Sequence, residues 1–590
     1  MRLRQMLLNR PGVRKYAGIL RGSLASVYSR DLHKWLLIAP IVGGATGLVM
    51  TLLVTIILRW IWPPVLKVYF AHPVWIIPGL AAGFAIAGLL MQYLTPDPDE
   101  HSTEEIIRSY HEHQGRIEMR AFFPKLLAAI ATVGAGGSAA LEGPGIYGGG
   151  AIGSWIWTKV RKLRFEVRDR RILLISGAAA GMSAVFRAPL TGIVFALEMP
   201  YKDDLAHEAL LPSLIASVIS YATMAAFLGA EPIFDFAGTG GYTRRDLLWS
   251  AALGGLCGLA TMIFSKVFRR VRALAVHAAV PHWVKMCAGG ILTGICGVAF
   301  LSAFPGGLIP IGPNYEAVPQ ILLQTHSSIE LVTFGVAKLA ATLFSLGMGG
   351  VSAMFVPLFL TGSAFGVAFG QSIAHSPAAD LFAAVGMAAF LSGGYKTPLA
   401  AVVFVAEATG GHAYIVPSLI GAAVAYAVSG EASVSGDQRV HESVKVEELA
   451  KVRVVDVMRK SVVAAEAQWT LREFARRMGI QGGQEAYPVY ENGGLIGAVS
   501  VLSLGRVASE KWETTRVADV TDRSIKRVSP SWDLQEALEL LMAQNGLHVL
   551  LVTSEGGELQ GVLRERDILS AISVRGASTF AKEPSGASRE

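Results

Sequence analysis

Acidic side chains are almost missing between Phe122 and Lys159, where Glu142 stands alone among apolar and small residues. Charge is scarce throughout: 16% of the 590 residues are charged and 52% are hydrophobic. Soluble chains carry about 25% charged residues, so this balance marks a membrane protein. Cysteine is scarcer still. Cys257, Cys287 and Cys296 fall in apolar segments without metal-ligand spacing and read as small core residues, so no metal site is expected. No basic patch with interleaved aromatics accompanies the net charge of +7, which excludes a nucleic-acid partner. No Ser/His/Asp arrangement or catalytic carboxylate pair stands out, and no enzyme is expected. Gly143-Pro144-Gly145-Ile146-Tyr147-Gly148 fits a dinucleotide-binding string, but it follows no strand and lies in a membrane tract.

What is abundant is apolar sequence. Tracts recur at Trp35–Trp62, Val74–Leu94, Leu126–Ile156, Ile172–Leu197, Leu211–Leu228, Leu247–Phe264, Gly289–Phe304, Leu331–Phe390 and Tyr414–Val428. Several reach the roughly 20 residues that a spanning helix needs. Others are broken by Gly and Pro, at Glu142-Gly143-Pro144-Gly145 and Phe355-Val356-Pro357. Broken helices at membrane depth are tolerated only around a protein-enclosed or aqueous cavity, so the tracts predict a pathway. An acid at mid-helix costs about 2.5–3.5 kcal/mol on insertion scales. At a helix start the free N–H groups and the dipole offset part of that cost, and they would attract a free anion as well. Glu142 is therefore a candidate gate. The segment Met1–Lys34 carries eight basic residues against Asp31 alone and reads as cytoplasmic rather than as a cleaved signal peptide.

The chain is doubly repetitive. Ala188-Pro189-Leu190 to Glu198 matches Thr397-Pro398-Leu399 to Glu407, with the same proline-to-glutamate spacing. The motifs around Pro144 and Pro357 are offset by nearly the same distance, as in transporter folds whose binding sites lie where broken helices from two repeats meet. Downstream of Val444, Val452–Val507 and Val517–Val574 each carry a short strand, a helix and two β-rich runs. The predicted organisation is a cytoplasmic segment 1–31, a membrane domain 32–442 (repeats about 32–230 and 243–442), two small α/β domains at 443–510 and 511–575, and a disordered tail 576–590.

Glu142-Gly143-Pro144, the Phe186-Arg187-Ala188-Pro189-Leu190 block, Met354-Phe355-Val356-Pro357 and Thr397-Pro398-Leu399 occur in an order that resembles the CLC family of chloride channels and proton/chloride antiporters, followed by a pair of CBS domains. The resemblance implies an all-α polytopic fold of two inverted repeats, a homodimer in the inner membrane and one anion pathway per subunit. The CBS pair would be cytoplasmic. It makes Glu142 the gating glutamate and gives Gly143, Val356 and the amides of Met354 and Phe355 to the anion. The family's serine loop maps near Glu100–Glu105, where either His101 or Ser102 would face the anion; Ser102 also suits a plain helix start, and His101 would add pH sensitivity.

Three departures bear on mechanism. The family's flanking positive charge before the gate is replaced by Ala140-Leu141. The second acid of the antiporters maps onto Met199, one residue past Glu198, and the pore tyrosine maps onto Ser435. Methionine cannot carry a proton, and serine leaves a wider inner opening. The expectation is therefore a passive chloride channel gated by protonation of Glu142, with a proton-coupled chloride or fluoride antiporter as the alternative. Asp203 and Asp204, close behind Met199, leave another proton route open. In the CBS pair, the adenine-nucleotide turn is halved: Ser500 lacks its acid and Asp567 lacks its hydroxyl, replaced by Arg564. A structural role is the plainer expectation there; a membrane-tethered nucleotide sensor is the rival one. No other cofactor is expected.

Overall fold

Backbone that enters a bilayer must satisfy its own hydrogen bonds, which leaves apolar tracts like these only the helix. The computed structural model describes residues 29–99, 102–160, 165, 167–231, 234, 241–305, 308–323, 326–376, 378–410, 412–440, 452–480, 484, 486–500, 507–542, 549–554 and 556–568. The chain divides into two units between His441 and Glu442. The N-terminal segment, His101 and the C-terminal tail lie outside the described residues.

In the first unit, α1 (Ser29–Val54) runs through a π-helical turn into α2 (Trp62–Ala71), followed by α3 (Ile76–Leu94) and α4 (Ser102–Glu112). Next come α5 (Phe122–Gly134), α6 (Glu142–Val160), α7 (Val167–Phe186), α8 (Pro189–Glu198) and α9 (Leu210–Leu228). The second repeat holds α10 (Arg244–His277), α11 (His282–Ala303), α12 (Ala317–Leu323) and α13 (Ser328–Gly347). It closes with α14 (Phe355–Phe369), α15 (Ala379–Tyr395), α16 (Pro398–Thr409) and α17 (Ile415–Ser429). Among the described residues, seven helices are long and apolar enough to cross a membrane. The single apolar tract Leu331–Phe390 resolves into three helices, because Gly349 takes φ +102° and His375 φ +48° between them.

Both broken motifs begin helices, α6 at Glu142 and α14 at Phe355. Each of these helices is then clamped to its successor by glycine. A Cβ on Gly149 would run into the carbonyl of Gly177, and one on Gly362 into that of Gly386. Apolar side chains gain little by leaving lipid for protein, so close backbone approach is what holds such pairs. The repeats also cap each other. The Glu198 carboxylate accepts from the amides of Leu399 (3.0 Å) and Ala400 (2.8 Å) at the start of α16. Glu407 accepts from Leu190 (2.9 Å) and Thr191 (2.7 Å) at the start of α8. Each carboxylate satisfies first-turn donors that would otherwise be orphaned, at the positive end of the helix dipole. The duplicated glutamates are thus mutual helix caps. The turns before both prolines match as well, with Arg187 at φ +50° and Lys396 at φ +61°.

Two buried lysines have partners among the described residues. Lys125 of α5 meets Glu105 of α4 at 2.6 Å, and the fully buried Lys338 of α13 donates to the Gly312 carbonyl at 2.8 Å. An unpaired ion there would cost several kcal/mol.

The second unit repeats one small pattern. The first copy has α18 (Val454–Val457), β1 (Ala465–Glu466), α19 (Leu471–Ile480), β2 (Ala486–Glu491) and β3 (Gly494–Ser500). The second has α20 (Val517–Val520), β4 (Arg527–Val528), α21 (Leu534–Met542), β5 (Val549–Thr553) and β6 (Leu559–Arg564). In each sheet the first strand runs parallel to the second, which pairs antiparallel with the third, and both hairpins shift register at the same place, Val489/Tyr490 and Val552/Thr553. The expected strand at Val462–Ala464 is displaced; β1 begins at Ala465.

Candidate anion site

The site is built where α6 and α14 begin back to back. Ala140 donates its amide to the Ala353 carbonyl (3.0 Å), and the Ser352 hydroxyl returns a bond to the Ala140 carbonyl. Gly143 is required by this approach: a Cβ there would lie 2.6 Å from the carbonyl carbon of Ser352 and 2.7 Å from the Ala353 nitrogen. Pro144 and Pro357 fall in first turns, where the missing N–H costs nothing. Phe355 is locked by rings around it, with centroids at 4.9 Å to Phe404, 5.1 Å to Phe186 and 5.5 Å to Phe195.

Two side chains close the start of α14 on adjacent amides. Glu142, fully buried, accepts from the Phe355 amide through Oε1 at 2.5 Å. The Met354 amide donates to the Tyr395 hydroxyl at 3.1 Å. Val356, one residue further in, is buried in the same first turn. The second carboxylate oxygen, Oε2 of Glu142, has no hydrogen-bond partner among the described residues. A buried, unsatisfied carboxylate oxygen is costly.

Tyr395 was not among the residues singled out from sequence, and it corrects the expectation that the site lacks a phenol. The ring comes from the end of α15, not from the segment containing Ser435. The signal was available: Tyr395 precedes Pro398 by the same three residues as Phe186 precedes Pro189. The matched left-handed turns at Arg187 and Lys396 aim both rings at Phe355, at 5.1 Å for Phe186 and 6.2 Å for Tyr395.

Beneath Met354 and Tyr395 lies a cavity of about 30 Å³, lined also by Ser102, Glu104, Arg272 and Ser435. Ser102 and Ser435 are thus brought to one cavity with Met354, although they are 333 positions apart in sequence (435 − 102). Ser102 is also the first residue of α4 and takes φ +61°. Met199 does not line the cavity. It is fully buried, and its carbonyl accepts from the Gln438 amide at 3.1 Å. In the second unit Ser500 is buried at the end of β3. Asp567 accepts from the Arg564 guanidinium through both carboxylate oxygens, with Nε at 2.6 Å.

The fold and site define a polytopic membrane protein whose broken helices present backbone amides inside the protein. A family model described as voltage gated chloride channel matches residues 83–430, and CBS domain models match 454–507 and 517–574. The chain belongs to this CLC family of membrane anion transporters, which are not enzymes. An H(+)/Cl(-) exchange transporter of Yersinia pestis is 29% identical over 352 residues, covering 58% of this chain and 72% of that protein. An uncharacterized protein of Methanocaldococcus jannaschii is 26% identical over 67% of this chain and 92% of its own length. Among solved structures, a CLC-type fluoride/proton antiporter aligns with a TM-score of 0.61 at 22% identity, covering 69% of this chain and 98% of that one. A eukaryotic CLC transporter covers 91% of this chain and 98% of its own, with a TM-score of 0.58 at 17% identity.

Proposed function

We propose that the protein exchanges chloride for protons, with Glu142 as the outer gate and Tyr395 as the inner one. The observation that carries this reading is the closure of two adjacent amides by two side chains, one ionisable and one bulky. Exchange requires that an anion never meet both gates open, and a ring on the Met354 amide restores the constriction that Ser435 cannot provide. That removes one of the two supports for a passive channel. The exchange activity in the names of the relatives favours the same reading. The remaining support, Met199, is addressed below. The measurement is the reversal potential of the reconstituted protein under opposed chloride and pH gradients. It is expected to move with the pH gradient; a potential set by chloride alone would establish the channel instead.

The same reading carries a homodimer, with the N-terminal segment and the CBS pair on the cytoplasmic side. Exposed apolar side chains at Leu190, Leu214, Val218, Leu399, Val416 and Leu419 suit burial against lipid or a second copy. For the CBS pair we propose a structural role, because Asp567 is engaged by Arg564 and would have to release it to bind a ribose. The full-length protein should accordingly keep its melting temperature in millimolar ATP or AMP. A rise of several degrees would restore the nucleotide sensor.

A further inference from the structure

Exchange needs a proton acceptor in contact with the inner solution, and Met199 leaves the expected position without one. The cavity beneath Tyr395 holds another acid. Glu104, in the first turn of α4, lines it together with Arg272 of α10, and the two form an ion pair at 2.7 Å. Their side chains are 23% and 21% exposed, so the pair is partly uncovered, whereas Tyr395 at the other end is buried. The space between is enough for roughly two waters. The Tyr395 phenol lies within electrostatic reach of both Glu104 and Glu142. Its hydroxyl accepts from Met354, and its own hydrogen has no acceptor among the described contacts.

We infer that Glu104 is the inner proton acceptor, linked to Glu142 through the cavity and the Tyr395 hydroxyl. This rests on the exchange reading. A proton leaves the inner water and binds the Glu104 carboxylate. It crosses by water to the Tyr395 oxygen, which takes it up as it gives its own hydrogen onward to Oε2 of Glu142. No charge is left on the phenol, and both carboxylates return to their starting forms once Glu142 releases its proton outside.

Burial has the largest effect on Glu104 and raises its hold on a proton above that of a free carboxyl, and several charged groups around it adjust that hold. Arg272 from α10 favours the carboxylate. Arg108, on the same helix, does so more weakly because it is engaged by Asp437 at 3.1 Å. Asp437, from the segment after α17, opposes ionisation. Asp99, whose carbonyl accepts from Arg272 at 3.1 Å, is a poor rival. Contact with the His282 imidazole at 3.4 Å keeps its carboxyl below the usual range, so it stays ionised near neutrality.

The test is paired chloride and proton flux from liposomes holding the full-length protein. Glu104→Gln is expected to lower proton flux about a hundredfold, within the range for losing a positioned proton carrier, while chloride still moves. Glu104→Asp should recover most of the coupling. Arg272→Gln removes the favouring cation, so the carboxylate binds protons more readily and the inner-pH midpoint of exchange should rise by about one unit. Wild-type proton flux in Glu104→Gln would overturn the proposal and leave exchange standing. Equal loss of chloride and proton flux would assign Glu104 to the anion path and overturn it as well. A wild-type reversal potential blind to the pH gradient would overturn the exchange reading itself.

Discussion

Glu142→Gln is expected to leave anion flux running while ending both its response to external pH and its coupling to protons. The amide has the same shape and can still accept from the Phe355 N–H through its oxygen. What it loses is charge. A hydrogen bond to a charged group is worth about 1.5–3 kcal/mol against about 0.5–1.5 for a neutral one, so the plug weakens by about 1–2 kcal/mol. At 1.4 kcal/mol per decade, an anion should displace the amide about 5- to 30-fold more readily than the carboxylate. The amide also has no proton to gain, so acid can no longer open the gate. Radioactive chloride uptake across a range of external pH, with proton flux measured in parallel, reads both effects. If uptake in the variant still responds to pH, the sensor lies elsewhere, and His101 becomes the residue to test.

Changes at Tyr395 should separate binding from gating. Tyr395→Phe keeps the ring that packs on Phe355 and removes only the hydroxyl, one hydrogen bond worth about 1 kcal/mol. Chloride affinity measured by calorimetry should then strengthen roughly fivefold, because the Met354 amide is freed for the anion, while coupling is impaired because the relay to Glu142 loses its hydroxyl. Tyr395→Ala removes the constriction as well. Chloride flux should rise, and the number of chloride ions moved per proton should climb well above the wild-type ratio. Wild-type stoichiometry in the alanine variant would mean that the ring is packing and not a gate. Ser435→Ala serves as the contrast: it removes a hydroxyl from the same cavity without opening it, and its stoichiometry should hold.

Much of the site was legible from residues whose chemistry conflicts with their surroundings. Glu142 stood out because an acid in an apolar tract is expensive, and it does begin a helix. Phe355 and Pro357 stood out because proline marks a first turn. The duplicated Pro-to-Glu blocks were visible as well, but their purpose was not. Glu198 was legible as the end of one block, and only the pairing across the repeats shows that it caps α16 while Glu407 caps α8.

Tyr395 escaped for a different reason. A tyrosine among apolar residues at the end of a helix resembles ordinary packing, and comparison with a family motif directed attention to Ser435. Glu104 escaped for a similar one, since an acid in the first turn of a helix suits the dipole and asks for no further explanation.

Sequence by itself determined the membrane class, the two repeats, the helix starts and the CBS pair. These follow from local chemistry: hydropathy, the turn demands of Gly and Pro, and spacing along one chain. The tertiary structure decided which side chains meet the amides at the start of α14. The Met354 and Phe355 amides, the Tyr395 ring and the Glu142 carboxylate come from three helices spread over more than 250 residues (395 − 142 = 253). They meet because glycine-clamped helices place two broken ends back to back, and nothing in local sequence encodes that distance.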